Sequence, residues 1–153
     1  MNQILSNLSF KTKGQGFTNI TQNIESWIKK KKISKGILII FLKHTSCSLI
    51  INENADNNVL KDLSNYMKAI VPEKEYFPIN RSNCKIEYLH SDEGRDDMPA
   101  HIRTMLTSNN LSLSIVEGRL DLGLWQAIYL WEHRTSKKSR TLQLHAIGDI
   151  DLD

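Results

Sequence analysis

The stretch from His90 to His101 reads His-Ser-Asp-Glu-Gly-Arg-Asp-Asp-Met-Pro-Ala-His and holds two imidazoles, four carboxylates and one guanidinium. This mixture is unsuited to a hydrophobic core, and a linker does not need so many groups that bind metals or transfer protons. Pro99 fits the first turn of a helix, with Asp96 or Asp97 as the cap before it. We therefore predict a loop and a helix start that hold an ion or a polar substrate. His101 would lie in the first turn of that helix, and His90 on the strand or loop that precedes it.

Three histidines provide a set of candidate metal ligands. His44, His90 and His101 would supply three nitrogens to a divalent cation, either Zn²⁺ or Mg²⁺. Asp97 or Glu93 would serve as a carboxylate ligand or as a base. The spacing matches neither a zinc finger nor an H-E-x-x-H helix, so the histidines could equally act without metal as acids, bases or hydrogen-bond donors. The candidate metal ligands are His44, His90, Asp97 and His101, and the candidate catalytic residues are His44, Glu93, Arg95, Asp97 and His101.

A second polar cluster, residues 44–46, follows an apolar strand that ends at Leu42. Side chains at the end of a buried strand commonly line a site, because the strand fixes their backbone. The alternative is a turn in which Thr45 and Ser46 bond the local backbone.

Two further clusters each have a simpler explanation. Residues 52–56 stand at the entry of a helix, where Asn54 or Asp56 would act as a cap. Residues 117–134 contain a glycine-bounded loop, typical of a hairpin, and end in Glu-His-Arg, which could be a solvated strand edge. Taken as sites, these clusters and residues 44–46 give as candidate substrate-binding residues Thr45, Ser46, Asn52, Glu53, Asn54, Arg119, Trp125, Gln126, His133 and Arg134.

The hydrophobic pattern predicts an α+β fold with a largely antiparallel or mixed sheet and about three helices packed on it. Residues 36–42 form a continuous apolar run, typical of a strand buried on both faces, and Ser48–Ile51 would be its neighbour. The predicted strands are 4–10, 36–42, 48–51, 84–89, 111–116, 124–131 and 140–147. The predicted helices are one with Ile20, Ile24, Trp27 and Ile28 on its apolar face, one over 54–71 with Val59, Leu60, Leu63, Met67 and Ile70, and one over 98–107.

Composition and length favour one soluble domain spanning residues 1–153. The chain is 40% hydrophobic and 24% charged, which is ordinary for a globular protein and excludes a disordered one. The lysines at 29–32 and 35 suit the end of a helix and lack interleaved aromatic residues, so we expect no nucleic-acid partner. Two cysteines, no signal-like segment and no long apolar run predict a cytoplasmic protein with no membrane contact.

Considered together, these clusters resemble the YjbQ family, also described as secondary thiamine-phosphate synthases. The resemblance covers nearly the whole chain. The matching motifs, in chain order, are His44-Thr45-Ser46, Ile51 to Asp56, His90 to His101, Gly118-Arg119-Leu120, Gly123-x-Trp125-Gln126 and Glu132-His133-Arg134.

The resemblance implies a YjbQ-like α+β domain that assembles as a homotrimer, with polar sites lined by these motifs and a metal or anion near the histidines. It also implies weak thiamine-phosphate synthase activity, in which a pyrimidine diphosphate and a thiazole phosphate join with loss of pyrophosphate. The chain departs from the family pattern at Leu124, where a hydroxyl residue usually precedes Trp-Gln.

Three functions follow as hypotheses. In the first, the chain is such a synthase, with Arg95, Arg119 and Arg134 binding phosphate and Trp125 stacking on a ring. In the second, it is a metal-dependent hydrolase in which Glu93 or Asp97 activates water. In the third, it is a trimer that binds a small phosphorylated ligand without turnover.

Overall fold

The computed structural model describes residues 2–81 and 83–150, and its main elements are ten strands and three helices within those ranges. The strands are β1 (Asn2–Lys11), β2 (Gly16–Asn19), β3 (Ile33–Leu42), β4 (Cys47–Glu53), β5 (Glu75–Tyr76), β6 (Ile86–Glu87), β7 (Asn110–Val116), β8 (Arg119–Leu120), β9 (Gln126–Glu132) and β10 (Ser139–Ile150). The helices are α1 (Thr21–Lys30), α2 (Asn57–Ile70) and α3 (Asp97–Leu106). The predicted α+β fold is confirmed: three helices pack against curled antiparallel sheets in a single domain.

Two sheets enclose the main core. The five-stranded sheet has the order β1-β10-β3-β7-β8 and the three-stranded sheet the order β2-β9-β4, with antiparallel pairing throughout. Alternate side chains of β3 and β10 point into the core, among them Leu38, Ile40 and Leu144, because successive side chains of a strand face opposite ways. As predicted, α1 covers this core with Ile24, Trp27 and Ile28, and Ile20, the residue before the helix, packs with them.

Strand β9, rather than β3, is buried on both faces. Ile128 and Leu130 join the main core, while Trp131 packs beneath α2 with Met67 in a second cluster. The prediction that residues 36–42 are buried on both faces is wrong: Ile37 is 56% exposed and lies on the outer face of its sheet. An antiparallel sheet needs cover on one face only, so an unbroken apolar run does not establish burial on both.

The prediction that Ser48–Ile51 forms a strand beside residues 36–42 is also wrong in its pairing. Strand β4 pairs with β9 in the other sheet, with Cys47 opposite Glu132. Residues 43–46 carry the chain from one sheet to the other. Consequently β3 and β9 end, and β4 and β10 begin, at one end of the molecule, where the polar clusters gather.

The second helix is shorter and less buried than predicted. It begins after Asp56, whose Oδ1 accepts a hydrogen bond from the Asn58 N–H at 2.8 Å, so Asp56 is confirmed as the cap. Of the predicted apolar side only Met67 is buried, and Ile70 is half exposed, because α2 lies on the outside of the three-stranded sheet. None of the helices in the described ranges is long and apolar enough to cross a membrane.

Candidate functional site

His90, Asp97 and His101 converge at the start of α3. Nitrogen and oxygen atoms of the three side chains all lie within 4.8 Å of one another. His90 Nε2 is 2.9 Å from Asp97 Oδ2, and His101 Nε2 is 3.5 Å from Asp97 Oδ1. Asp97 and His101 are four residues apart on one helix and therefore share a face. We call these three residues the His90 group.

Backbone contact fixes the orientation of His101. Its Nδ1–H donates to the carbonyl oxygen of Thr45 at 2.8 Å, since a carbonyl can only accept. In the neutral imidazole the lone pair is then on Nε2, the atom that faces Asp97. Metal-binding histidines in proteins are commonly oriented in this way: one ring nitrogen binds the metal, and the other donates a hydrogen bond to a group such as a backbone carbonyl.

Arg134 holds the carboxylates of this segment in place. Its guanidinium is buried, donates to Asp97 Oδ1 through Nη1, and donates to Asp96 Oδ2 through Nε at 3.1 Å. Its Nη2 group donates to the backbone oxygen of Glu93 at 2.7 Å. Sequence motifs suggested that Arg134 binds substrate, but in the structure all three nitrogens of its guanidinium bind residues of this chain.

Asp96 occupies the cap position of α3, yet its side chain makes no capping hydrogen bond, which corrects the predicted role of Asp96 or Asp97. Its Oδ2 instead accepts from the N–H of Thr135 at 2.7 Å and from Arg134. Burial alone would raise the pKa of Asp96, but these hydrogen bonds outweigh it and the pKa is lowered. The loop before α3 is thus tied by a charged carboxylate to the segment after β9.

His44 lies beside the His90 group and is not a member of it. Its Nε2 accepts a hydrogen bond from the Thr141 N–H at 2.8 Å, so the neutral ring carries its proton on Nδ1. Burial, followed by the nearby charge of Arg140, lowers the pKa of His44 and keeps the ring neutral. His44, Thr45 and His101 line a surface groove of about 490 Å³ that continues along the end of α3.

The Glu-His-Arg motif is buried, so the alternative of a solvated edge is excluded. Glu132 accepts hydrogen bonds from Arg140 Nε at 2.7 Å and from Thr12 Oγ1 at 2.9 Å. Burial opposes ionisation, but hydrogen bonds from Arg140 and the Arg134 N–H lower the pKa of Glu132. Ser46 is also part of this network, since its Oγ accepts from Arg140 at 3.0 Å.

The ring of His133 is buried against Ser48. Its Nε2 lies 2.7 Å from the Ser48 hydroxyl, and burial lowers the pKa of His133 to about 3. The ring is therefore neutral at physiological pH and cannot provide a positive charge for a phosphate.

A separate depression collects four more of the predicted substrate-binding residues: Asn52, Glu53, Trp125 and Gln126. Asn54 adjoins it through a hydrogen bond from its backbone N–H to the Trp125 oxygen at 3.0 Å. Trp125 is 61% exposed, and Gln126 is exposed at the first residue of β9 rather than buried within it. Gln126 Oε1 accepts from the Gly123 N–H at 2.8 Å and so closes the loop.

Arg119 lies in a third depression, together with Lys29 and Glu117, at the end of α1. Arg95 and Glu93 lie between His90 and Asp97 in the loop before α3, and both side chains are exposed. The predicted site residues thus fall into a group at α3 with its groove, a buried network, and two separate surface depressions.

Comparison with known proteins gives the family. The family model described as UPF0047 protein YjbQ-like matches residues 6–149. This chain belongs to the UPF0047 YjbQ-like family. A UPF0047 protein of Synechocystis is 40% identical over 91% of this chain and 88% of its own length. The UPF0047 protein YjbQ of Escherichia coli O157:H7 is 34% identical over 88% of this chain and 91% of its own length.

Solved structures agree. A YjbQ/UPF0047 family protein of Clostridium acetobutylicum matches with a TM-score of 0.77 at 26% identity, covering 93% of this chain and 99% of the other. A conserved hypothetical protein of Thermus thermophilus matches with a TM-score of 0.75 at 29% identity, with the same coverage. These names specify the family but no reaction.

Two buried arginines of this YjbQ-like chain were missed in the sequence. Arg140 alternates with Leu142 and Leu144 along β10, so its side chain points to the buried face of the strand. This alternation is visible in the sequence and indicates that the charge is buried. Arg103 is buried on α3 with no comparable signal, because the helix carries apolar and polar residues on both sides.

Proposed function

We propose that this chain is a divalent-cation-dependent enzyme that acts on a small phosphorylated substrate, with the His90 group holding the cation. The observation that supports this is the convergence of His90, Asp97 and His101, with His101 anchored on a backbone carbonyl. Two imidazoles and one carboxylate suit Zn²⁺ better than Mg²⁺, which prefers oxygen ligands. Such a cation would supply Lewis-acid chemistry or activate water.

The chain's own residues around the group have distinct roles in this proposal. Arg134 fixes Asp97 and partly neutralises it, so it positions a ligand rather than binding substrate. Arg95 is exposed two residues before Asp97 and forms no hydrogen bond or ion pair with any other described residue, which leaves it available for a phosphate. Glu93, 69% exposed, would transfer the proton. His44 would donate from Nδ1 into the groove.

The reaction we propose first is the one implied by the family resemblance, synthesis of thiamine phosphate with loss of pyrophosphate. Departure of pyrophosphate requires positive charge at the diphosphate, which the cation and Arg95 would provide. Arg119 lies in another depression of the same chain and would contribute only if a site is shared between subunits.

Hydrolysis of a phosphate ester is the second candidate. It is favoured by the imidazole-rich donor set, because three protein ligands with an open position are typical of hydrolytic zinc sites. In that reaction Glu93 would take the proton of the attacking water.

The first experiment measures the metal content of untagged protein by plasma mass spectrometry. We expect about one equivalent of a transition metal in the wild type. We expect its loss in a His90→Gln/His101→Gln variant. Asp92→Asn, an exposed carboxylate in the same loop, is the control and should retain the metal. A wild type without metal, after purification and reconstitution with Zn²⁺, would refute the proposed site.

Turnover then separates the reactions. Pyrophosphate release from the pyrimidine diphosphate and the thiazole phosphate, lost with a chelator, identifies the synthase. Phosphate release from simple esters, restored by Zn²⁺, identifies the hydrolase. Tight ligand binding without either product would instead support the third function, binding of a phosphorylated ligand without turnover.

We also propose that three copies associate through the outer face of the five-stranded sheet. The resemblance implies a homotrimer, and this face exposes apolar residues on β1 and β3, the strands on either side of β10. Leu5 and Ile39 both lie opposite His145, and Ile37 lies opposite Ile147. Exposed apolar patches of this kind on a small protein mark interaction surfaces.

A further inference from the structure

A small cavity lies between α2, α3 and the end of β9, apart from the His90 group. Its volume is about 40 Å³, enough for a few waters or one small ion. We call it the Arg103 cavity. Its lining includes Gln15, Met67, Lys68, Arg103, Trp131 and His133.

Arg103 brings a buried and poorly compensated charge to this cavity. Its side chain is 3% exposed, and its Nη2 group donates to the Val71 carbonyl at 2.8 Å. Its Nε–H has no hydrogen-bond partner in the described part of the chain. The nearby carboxylate of Glu73 is 3.8 Å from Nη1, and the same oxygen already accepts from Gln15 at 2.7 Å. A buried N–H without a partner is costly, and a buried cation more so.

The other charged groups at the cavity leave an excess of positive charge. Lys68, on α2, adds a second cation at its exposed side. Glu132 also lines the cavity, but its two oxygens accept hydrogen bonds from Arg140, Thr12 and the Arg134 N–H. Its charge is therefore compensated by Arg140 inside the network, and little of it remains for Arg103.

We propose that the Arg103 cavity binds a small inorganic anion, of halide to phosphate size, which is attracted by the positive charges of Arg103 and Lys68. The site is independent of the proposed enzymatic reaction. Arg103 is on α3, the helix that carries Asp97 and His101, so the bound anion would also stabilise the helix that supports the His90 group.

The test follows the Arg103 Nε–H resonance in ¹⁵N-labelled full-length protein, assigned with Arg103→Lys. Chloride and inorganic phosphate are titrated separately in the presence of a chelator. Sodium gluconate, the salt of a large organic anion, keeps the ionic strength constant. We expect a saturable shift of this resonance with one anion or both, and Lys68→Met should weaken binding about fivefold.

Two control variants locate the effect. Lys61→Met removes a lysine elsewhere on α2, and Arg95→Met removes the phosphate-binding candidate near the His90 group; both should bind as the wild type does. A resonance that fails to move saturably with either anion means that the cavity holds only water, and it overturns the proposal. A shift abolished by Arg95→Met would place the anion at the loop before α3 and would overturn it equally.

Discussion

At the scale of single residues, burial determines the protonation of His133. The ring is 1% exposed and its pKa is lowered to about 3, against 6.5 for an exposed histidine. Between these values the unfolded chain binds a proton that the folded chain does not. The stabilisation by neutral His133 is therefore complete above pH 6.5 and is lost progressively as the pH falls towards 3.

We predict that the free energy of unfolding decreases by about 2 kcal/mol between pH 8 and pH 5 because of His133. His133→Gln should remove this part of the pH dependence, since an amide can bond the Ser48 hydroxyl and does not titrate. His44, whose pKa is also lowered, contributes equally to both proteins and cancels in the difference. Urea unfolding at each pH measures the effect, with His145→Gln as control. Parallel curves for the wild type and His133→Gln would contradict the assignment.

The residue types predicted where polar side chains cluster, but not which hydrogen bonds these side chains make. Nothing in the sequence shows that the nitrogens of Arg134 are bound by Asp96, Asp97 and Glu93, or that His44 Nε2 is taken by a backbone N–H. These outcomes depend on contacts between residues about 40 and 100 positions apart. In contrast, the pair Asp97 and His101 could be predicted, because helical spacing alone places them on one face.

At the scale of elements, alternation and helical period predicted β1, β7, β9, β10 and the three helices to within a few residues. The pairing of β4 with β9 was not predictable, because an apolar run in the sequence does not indicate which strand it pairs with. The strand predicted over residues 84–89 is reduced to the two residues of β6, Ile86–Glu87. The two-residue strands β5 and β8 are too short to carry a periodic signal. The hairpin predicted from the loop between Gly118 and Gly123 would pair β7 with β9, and this is wrong because the two strands lie in different sheets. Instead β7 pairs with the short strand β8 across a tight turn at Glu117 and Gly118, both of which have positive φ, at 49° and 74°.

Close approach of β3 and β10 depends on a glycine pair. Gly148 lies opposite Gly36, and a Cβ added to Gly148 would be 2.6 Å from the Gly36 Cα and closer still to the Lys35 carbonyl oxygen. Because backbone rather than a flexible side chain is in the way, we predict that Gly148→Ala lowers the free energy of unfolding by about 3 kcal/mol. Gly123→Ala is the matched control: its Cβ meets only the side chain of Gln126, and we expect a loss of about 0.5 kcal/mol. Equal losses in urea unfolding would contradict this account.

At the scale of the whole molecule, the outer face of the five-stranded sheet distinguishes a monomer from an assembly. Ile39 lies at the centre of that face, between His145 and Ser112 on the neighbouring strands, and is 36% exposed. A lysine there would place a charge in the proposed interface, whereas the isolated subunit would keep it in water at little cost. We therefore predict that the wild type is a trimer in sedimentation velocity and that Ile39→Lys is a folded monomer. Tyr66→Lys, which changes a 68% exposed side chain on α2, should remain a trimer. A trimeric Ile39→Lys would mean that the copies associate through another surface. A monomeric wild type would mean that no site is shared between subunits.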